Sequence, residues 1–249
     1  MNSYGRNLAA VLVLGLLSAA NASALVIEDN YTGGYDPIVF PTYGVSRDVI
    51  GSKSVYQVYS MDVTTAGSIM SVTINTDFIA SNPLNTGGFQ AGDLFISSDG
   101  WTPYGTGKYD EDDHFNGTTW EYAFDTSAGN LVAINDESDF DLVEAGECCR
   151  IGQEVLVNGG TDTGAAISFS GPVASNSGIW DYEYTYSFDY TVLGLGPDDV
   201  IGLHWAETCG NDVIEGQYQI PSFSVPEPGT AFLLLSGMIA LVFTRRRMR

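Results

Sequence analysis

The chain is poor in basic residues and in the side chains on which most catalytic machinery depends. It has 9 Lys or Arg residues against 31 Asp or Glu residues, two histidines and three cysteines in 249 positions. Such an acidic surface repels phosphate backbones and anionic lipids. The sequence contains no G-x-S-x-G elbow, no H-E-x-x-H zinc motif and no Gly-rich phosphate loop. We therefore expect no nucleic-acid partner and no catalytic centre of these kinds.

Charge is distributed unevenly along the chain. All 31 acidic residues lie between Glu28 and Glu227. The basic residues in the same interval are Arg47, Lys53, Lys108 and Arg150. This composition favours cations as ligands, and it also keeps an exported protein soluble.

The N-terminus has the parts of a secretory signal peptide. A short polar start precedes an apolar run over residues 8–20, and Ala22 and Ala24 are small residues at the positions that signal peptidase reads. We predict that residues 1–24 form the signal peptide and that cleavage occurs before Leu25.

The C-terminus combines a Pro-Glu-Pro turn, an apolar run and an arginine cluster. Pro226, Glu227 and Pro228 precede a charge-free run over residues 229–244, which arginines follow. Apolar side chains gain by entering lipid, whereas guanidinium groups stay with cytoplasmic phosphates, so the run predicts a transmembrane helix with its basic end inside. About sixteen residues at 1.5 Å rise span roughly 24 Å, which is a minimal membrane span.

This tripartite tail resembles the PEP-CTERM sorting signal, which the membrane protease exosortase recognises in exopolysaccharide-producing Gram-negative bacteria. The resemblance rests on Pro226, Glu227 and Pro228 and covers residues 224–249. It implies export, with signal peptidase and exosortase as processing enzymes and the inner membrane as an intermediate location. The mature protein would then reach the outer envelope surface or the extracellular matrix.

Three internal segments are similar to recurring elements of exosortase-dependent surface proteins. They are Gly92–Ile96, Gly152–Val155 and His204–Gly216. This second resemblance implies a location and a fold and assigns no reaction.

Apolar and polar residues alternate along much of residues 25–223. The longest alternating stretches are 70–78, 120–125 and 180–192, and a period of two predicts strands with one buried face. Shorter β-like runs cover residues 55–63, 93–96, 131–134, 154–157, 166–169 and 200–205. Turn clusters separate these runs, and we find no helical period or internal repeat between the terminal segments. The pattern predicts one all-β domain, an antiparallel β-sandwich or jelly roll.

The cysteines predict one disulfide in the oxidising environment outside the cytoplasm. Cys148 and Cys149 are adjacent, and on an extended segment their side chains point to opposite faces. One of the two can therefore reach Cys209, and we predict that bridge. A thiolate metal site is the alternative, although no C-x-x-C spacing supports it.

Two acidic clusters are candidates for calcium, because Ca²⁺ takes six to eight oxygen ligands. The first contains Asp110, Asp112 and Asp113, and the second contains Asn135, Asp136, Glu137, Asp139, Asp141 and Glu144. The second is not an EF-hand, since Phe140 stands where that motif requires glycine. The alternative is that both clusters are solvated acidic loops.

Three functional classes remain open. We expect a surface or matrix protein without catalytic activity, associated with extracellular polysaccharide. The second class is a carbohydrate-binding module in which Trp101, Tyr104 and Tyr109 stack on sugar rings. The third is a glycoside hydrolase with two carboxylates about 5 to 9.5 Å apart, for which the sequence singles out no pair.

Overall fold

Strands account for most of the regular structure. The computed structural model describes residues 23–33, 48–106, 109, 111–144 and 150–222. The strands are β1 (Ser23–Glu28), β2 (Val58–Ala66), β3 (Ile69–Thr76), β4 (Leu94–Ser97), β5 (Tyr122–Asp125), β6 (Asn130–Ala133), β7 (Phe140–Leu142), β8 (Glu154–Val157), β9 (Thr161–Asp162), β10 (Ile167–Ala174), β11 (Tyr182–Asp189), β12 (Val200–Ala206) and β13 (Val213–Gln219). The helices are α1 (Lys53–Tyr56) and two 3-10 helices, Glu137–Asp139 and Tyr190–Leu193.

These strands form two large antiparallel sheets and a separate pair. The first sheet has the order β1-β2-β3-β11-β10, and the second has the order β13-β12-β4-β5-β6-β9. Strands β7 and β8 pair with each other. Neighbouring strands run antiparallel throughout the described residues. The predicted all-β class with antiparallel sheets is therefore confirmed.

The two large sheets contribute to one hydrophobic core. Met61 of the first sheet and Leu203 of the second are fully buried in the same cluster. The core also buries the polar atoms of Trp205 and Tyr186, which bond to each other across the sheets. Trp205 Nε1 of β12 donates to the Tyr186 hydroxyl of β11 at 2.8 Å, and that hydroxyl donates to the Gly92 carbonyl oxygen at 2.9 Å. Because each buried donor has an acceptor, the indole and phenol enter the core without losing a hydrogen bond.

The aromatic stripe predicted as a strand over residues 180–192 is a strand of this core, but a shorter one. The side chains of Tyr184, Tyr186 and Phe188 are buried, as the alternation predicts. The strand ends at Asp189, whose carboxylate accepts the backbone N–H of Thr191 at 3.0 Å and begins a 3-10 helix. The predicted extension beyond Asp189 is therefore wrong, because a side-chain cap competes there with the strand.

Other boundaries also differ from the sequence pattern. The run 55–63 begins as helix α1, and β2 starts only at Val58. Strands β1, β7, β9 and β13 were not predicted, since their sequences lack a clear alternation. In contrast, β8 has the predicted bounds.

The predicted terminal signals lie mostly outside the described residues. This holds for residues 1–22, which include Ala22, and for residues 223–249, which include the Pro226-Glu227-Pro228 motif. Ala24 and Leu25 lie in β1, where they pair with β2. No helix of the described residues is long and apolar enough to cross a membrane.

Candidate functional site

A pocket of about 320 Å³ lies beside the contact between β1 and β13. Its wall consists of residues 25–28 of β1, Tyr31 just after that strand, Glu215–Gln217 of β13, and Trp101 and Tyr109 from the connection between β4 and β5. We call this the aromatic pocket. It joins parts of the chain that are far apart in sequence.

A glycine allows β1 to approach β13 at this place. A Cβ atom on Gly216 would lie 2.5 Å from Cγ2 of Ile27, which is closer than real Cβ contacts permit. Ile27 is buried and belongs to the central core. The missing side chain at Gly216 therefore lets β1 pack against β13 and places Tyr31 at the pocket.

Three aromatic rings contact one another at the pocket. The centroids of Trp101 and Tyr109 are 5.4 Å apart with planes at 78°, which is an edge-to-face arrangement. Tyr31 lies 6.2 Å from Tyr109 and 6.3 Å from Trp101. Tyr31 is buried, whereas Trp101 and Tyr109 are half-buried. The latter two rings therefore have surface available to a ligand.

Buried hydrogen bonds fix the orientation of Trp101. Its Nε1 donates to Glu215 Oε2 at 2.7 Å, and Glu215 Oε1 lies 2.7 Å from His204 Nδ1. His204 Nε2 lies 2.7 Å from the Glu154 carbonyl oxygen, and the Glu154 carboxylate lies 2.9 Å from His114 Nδ1. The hydrogen bonds thus run from the pocket through His204 of β12 to the Glu154 main chain in β8, and the side chain of the same Glu154 contacts His114.

The partners of His204 and Glu215 determine where the protons lie. A carbonyl oxygen only accepts, so the bond to Glu154 requires a proton on His204 Nε2. Trp101 Nε1 only donates, so Glu215 Oε2 is an acceptor, and one further proton lies between Glu215 Oε1 and His204 Nδ1. Burial opposes a charge on His204, but the hydrogen bond and the charge of Glu215 outweigh it and raise the pKa of His204. The raised pKa of His204 therefore favours the shared proton on its Nδ1, facing Glu215 Oε1.

Asp112 is a second buried carboxylate next to the rings. The Tyr31 hydroxyl donates to Asp112 Oδ2 at 3.0 Å, and the backbone N–H of Tyr104 donates to Oδ1 at 3.1 Å. Burial, followed by the charge of Glu215, raises the pKa of Asp112 to about 7. Asp112 therefore exchanges its proton near neutral pH, although it does not itself line the pocket.

Two of the three predicted stacking residues line the aromatic pocket. Trp101 and Tyr109 line the pocket together, but the side chain of Tyr104 is 50% exposed and lies outside the lining. Tyr31 and Glu215 were not predicted as site residues. The signal available was an isolated tyrosine after β1 and an acidic residue in β13, neither of which stands out without knowledge of the sheet order.

The first predicted calcium cluster is not assembled among the described residues. Asp110 lies outside them, and Asp112 accepts from Tyr31. Asp113 instead accepts the backbone N–H groups of Phe115 and Asn116 and closes its own turn.

The second predicted cluster caps a helix. Asp136 Oδ1 accepts the N–H of Ser138 at 2.8 Å, and Asp139 Oδ2 accepts the N–H of Asn135 at 2.7 Å. Asp141 accepts from the amide of Asn158 at 2.6 Å. These contacts give Asp136, Asp139 and Asp141 partners within the protein, and calcium at either cluster stays a prediction.

A different acidic group lies around Arg150. Within the described ranges, the group of three carboxylates close enough to share a cation is Asp29, Asp48 and Asp212, whose ligand atoms lie within 4.8 Å of one another. Arg150 is buried beside them and donates to backbone carbonyls, among them those of Thr32 and Gly210. Burial raises the pKa of Asp212, and the charge of Arg150 opposes that rise. Asp212 is buried and Asp29 and Asp48 are half-buried, and the hydrogen bonds of Arg150 to backbone carbonyls tie the neighbouring loops together.

Of the three cysteines in the predicted disulfide, only Cys209 lies among the described residues. Cys209 is buried and forms no disulfide with another described residue, and burial raises the pKa of its thiol. Cys148 and Cys149 lie outside the described residues. The bridge to Cys209 therefore stays a prediction.

No family model matches the chain, and no curated protein or solved structure was found to be similar to it. The aromatic pocket is accordingly interpreted from its own geometry.

Proposed function

We propose that this is an exported surface or matrix protein whose β-sandwich body binds carbohydrate at the aromatic pocket without cleaving it. In this proposal residues 1–24 direct export, residues 224–249 form a PEP-CTERM sorting signal with a transmembrane helix, and signal peptidase and exosortase process the two ends. The mature body then associates with extracellular polysaccharide.

The observation that carries the binding function is the pair of half-buried rings, Trp101 and Tyr109, at the edge of a cavity of about 320 Å³. The apolar faces of sugar rings pack on aromatic side chains, and the hydroxyl groups bind polar groups nearby. Asn30 and Gln217 line the same cavity and supply amide donors and acceptors. Trp101 is held in place by Glu215, so little side-chain freedom is lost when a ligand binds.

A glycoside hydrolase is the second candidate, and Asp112 is the observation that favours it. A carboxyl group with a pKa of about 7 could donate a proton, and the charge of nearby Glu215 contributes to that value. Asp112 is only 2% exposed and is separated from the cavity lining, however, and a general acid must reach the glycosidic oxygen. The geometry therefore supports binding over hydrolysis.

A pair of tyrosine variants tests the binding function. On a glycan array, Tyr109→Ala should weaken retention of the best ligand by about tenfold or more, since loss of a central aromatic contact costs more than about 1 kcal/mol. Tyr104→Ala is the matched control, because that tyrosine is exposed outside the lining. Equal binding by both variants would refute the pocket, and release of reducing sugar over time would support the hydrolase instead.

The sorting part of the proposal has its own test. Mass spectrometry of the protein recovered from the cell surface should find Leu25 at the N-terminus and a C-terminus cut near Pro226-Glu227-Pro228. Intact chains in the cytosol, uncut at both ends, would contradict export.

A further inference from the structure

The charges at the aromatic pocket are of one sign. Among the described residues that line it, the ionisable side chains other than tyrosines are Glu28 and Glu215, and no Lys, Arg or His is present. Glu28 is exposed at the rim. His204 lies 2.7 Å from Glu215 and offsets its charge, so the excess negative charge at mildly acidic pH comes from Glu28, and Asp112 behind Tyr31 adds to it only above its pKa of about 7.

The raised pKa of Tyr31 is consistent with the negative charge around the pocket. Burial raises the pKa of the Tyr31 hydroxyl, and the charges of Glu215 and Asp112 raise it further. A site in which a further negative charge is disfavoured should also disfavour an anionic ligand. An ammonium group gains instead, because it is attracted to the carboxylates and to the faces of the rings.

We propose that the aromatic pocket selects sugars that carry a free, protonated amine over neutral and acidic sugars. This inference rests on the proposed function and adds the chemical class of the ligand. The sugar ring packs on Trp101 and Tyr109, and its ammonium group lies toward Glu28 and the ring faces. An acetylated amine loses the charge, and a uronic acid brings a carboxylate toward Glu28.

Four oligosaccharides with the same linkage and length isolate the contribution of the charge. Isothermal titration calorimetry of the full-length protein in mild detergent, at low salt and mildly acidic pH, compares β-linked tetrasaccharides of glucosamine, N-acetylglucosamine, glucose and mannuronic acid. We expect the glucosamine probe to bind about tenfold tighter than the two neutral probes, and the mannuronic acid probe to bind weakest. The advantage of the amine should shrink as salt is added, because Glu28 is solvent-exposed.

A variant that removes the charge of Glu28, with a matched control, tests whether that charge selects the amine. Glu28→Gln should weaken binding of the glucosamine probe by about threefold to tenfold and leave the glucose probe unchanged. Glu144→Gln makes the same change at an exposed residue outside the pocket and should alter neither affinity.

The possible outcomes separate the two levels of the proposal. Equal affinity for the amine and neutral probes, or tightest binding of mannuronic acid, would refute selection by charge while sugar binding stands. No binding of any probe would overturn both. An amine preference that Glu28→Gln does not reduce would refute the pocket as its source.

Discussion

Replacing Asp112 by Asn should change how the stability of the protein depends on pH. Asn keeps an oxygen that can accept from the Tyr104 backbone and an NH₂ group that can donate to the Tyr31 oxygen, so it resembles the protonated form of Asp112. The variant therefore removes a titrating proton with little change of shape. The assay is urea unfolding of both proteins at about pH 5 and about pH 8.

The sign follows from proton binding. Asp112 has a pKa of about 7 in the folded chain against its ordinary value of 3.8, so the folded state binds more protons between these two values. Stability then falls as pH rises through that window. Between about pH 5 and pH 8 the contribution of Asp112 should fall by about 2 kcal/mol, because two pH units up to its pKa at 1.36 kcal/mol each give about 2.7 kcal/mol and solvent screening lowers this figure.

The variant should therefore gain about 2 kcal/mol over the wild type when pH is raised from about 5 to about 8. Taking this difference removes the contributions of buried groups that do not interact with Asp112, such as Asp212. Tyr31→Phe is the converse test: it removes a hydrogen bond that lowers the pKa of Asp112, so the pH dependence should become steeper. Parallel stability curves for wild type and Asp112→Asn would refute the assigned titration.

Three further predictions concern the turn, the metal and the thiols. Gly117→Ala should destabilise the fold by about 2 kcal/mol or more in urea unfolding, since its Cβ would lie 1.7 Å from Asp112 Oδ1 at a φ of +146°; a change near zero would contradict the packing. If either acidic cluster binds calcium, a concentration of about 100 times Kd should stabilise the fold by about 2.7 kcal/mol, and a melting temperature unchanged relative to excess chelator would rule that out. Peptide mapping without reductant should find Cys209 linked to Cys148 or Cys149, and alkylation of Cys209 after unfolding without reductant would show the bridge to be wrong.

The core strands could be predicted because their signal is local. Side chains alternate along a strand, so a buried face leaves a period of two in the sequence, as in β3 and β11. The same alternation predicted one buried face for residues 180–192, and Tyr184, Tyr186 and Phe188 are buried in the structure. The prediction from alternation failed where a side chain accepts a backbone N–H and ends the strand, as Asp189 does at the end of β11.

For the acidic residues, the sequence pattern could not decide between two roles. The spacing of Asp136 and Asp139 fits a set of calcium ligands, and it fits a helix cap equally well, because both arrangements need oxygens a few residues apart. In the structure, both residues cap the 3-10 helix Glu137–Asp139. Whether a carboxylate accepts from its own backbone depends on local dihedral angles that composition does not specify.

The sequence by itself determined an acidic, β-rich body between two predicted sorting segments, because charge, strand alternation and terminal apolar runs are properties of neighbouring residues. Only the tertiary structure decided the aromatic pocket. Tyr31, Trp101, Tyr109 and Glu215 meet there because β1 packs against β13 at Gly216, at opposite ends of the described chain. Such long-range proximity depends on the order of strands in the sheets, which alternation along single strands does not encode.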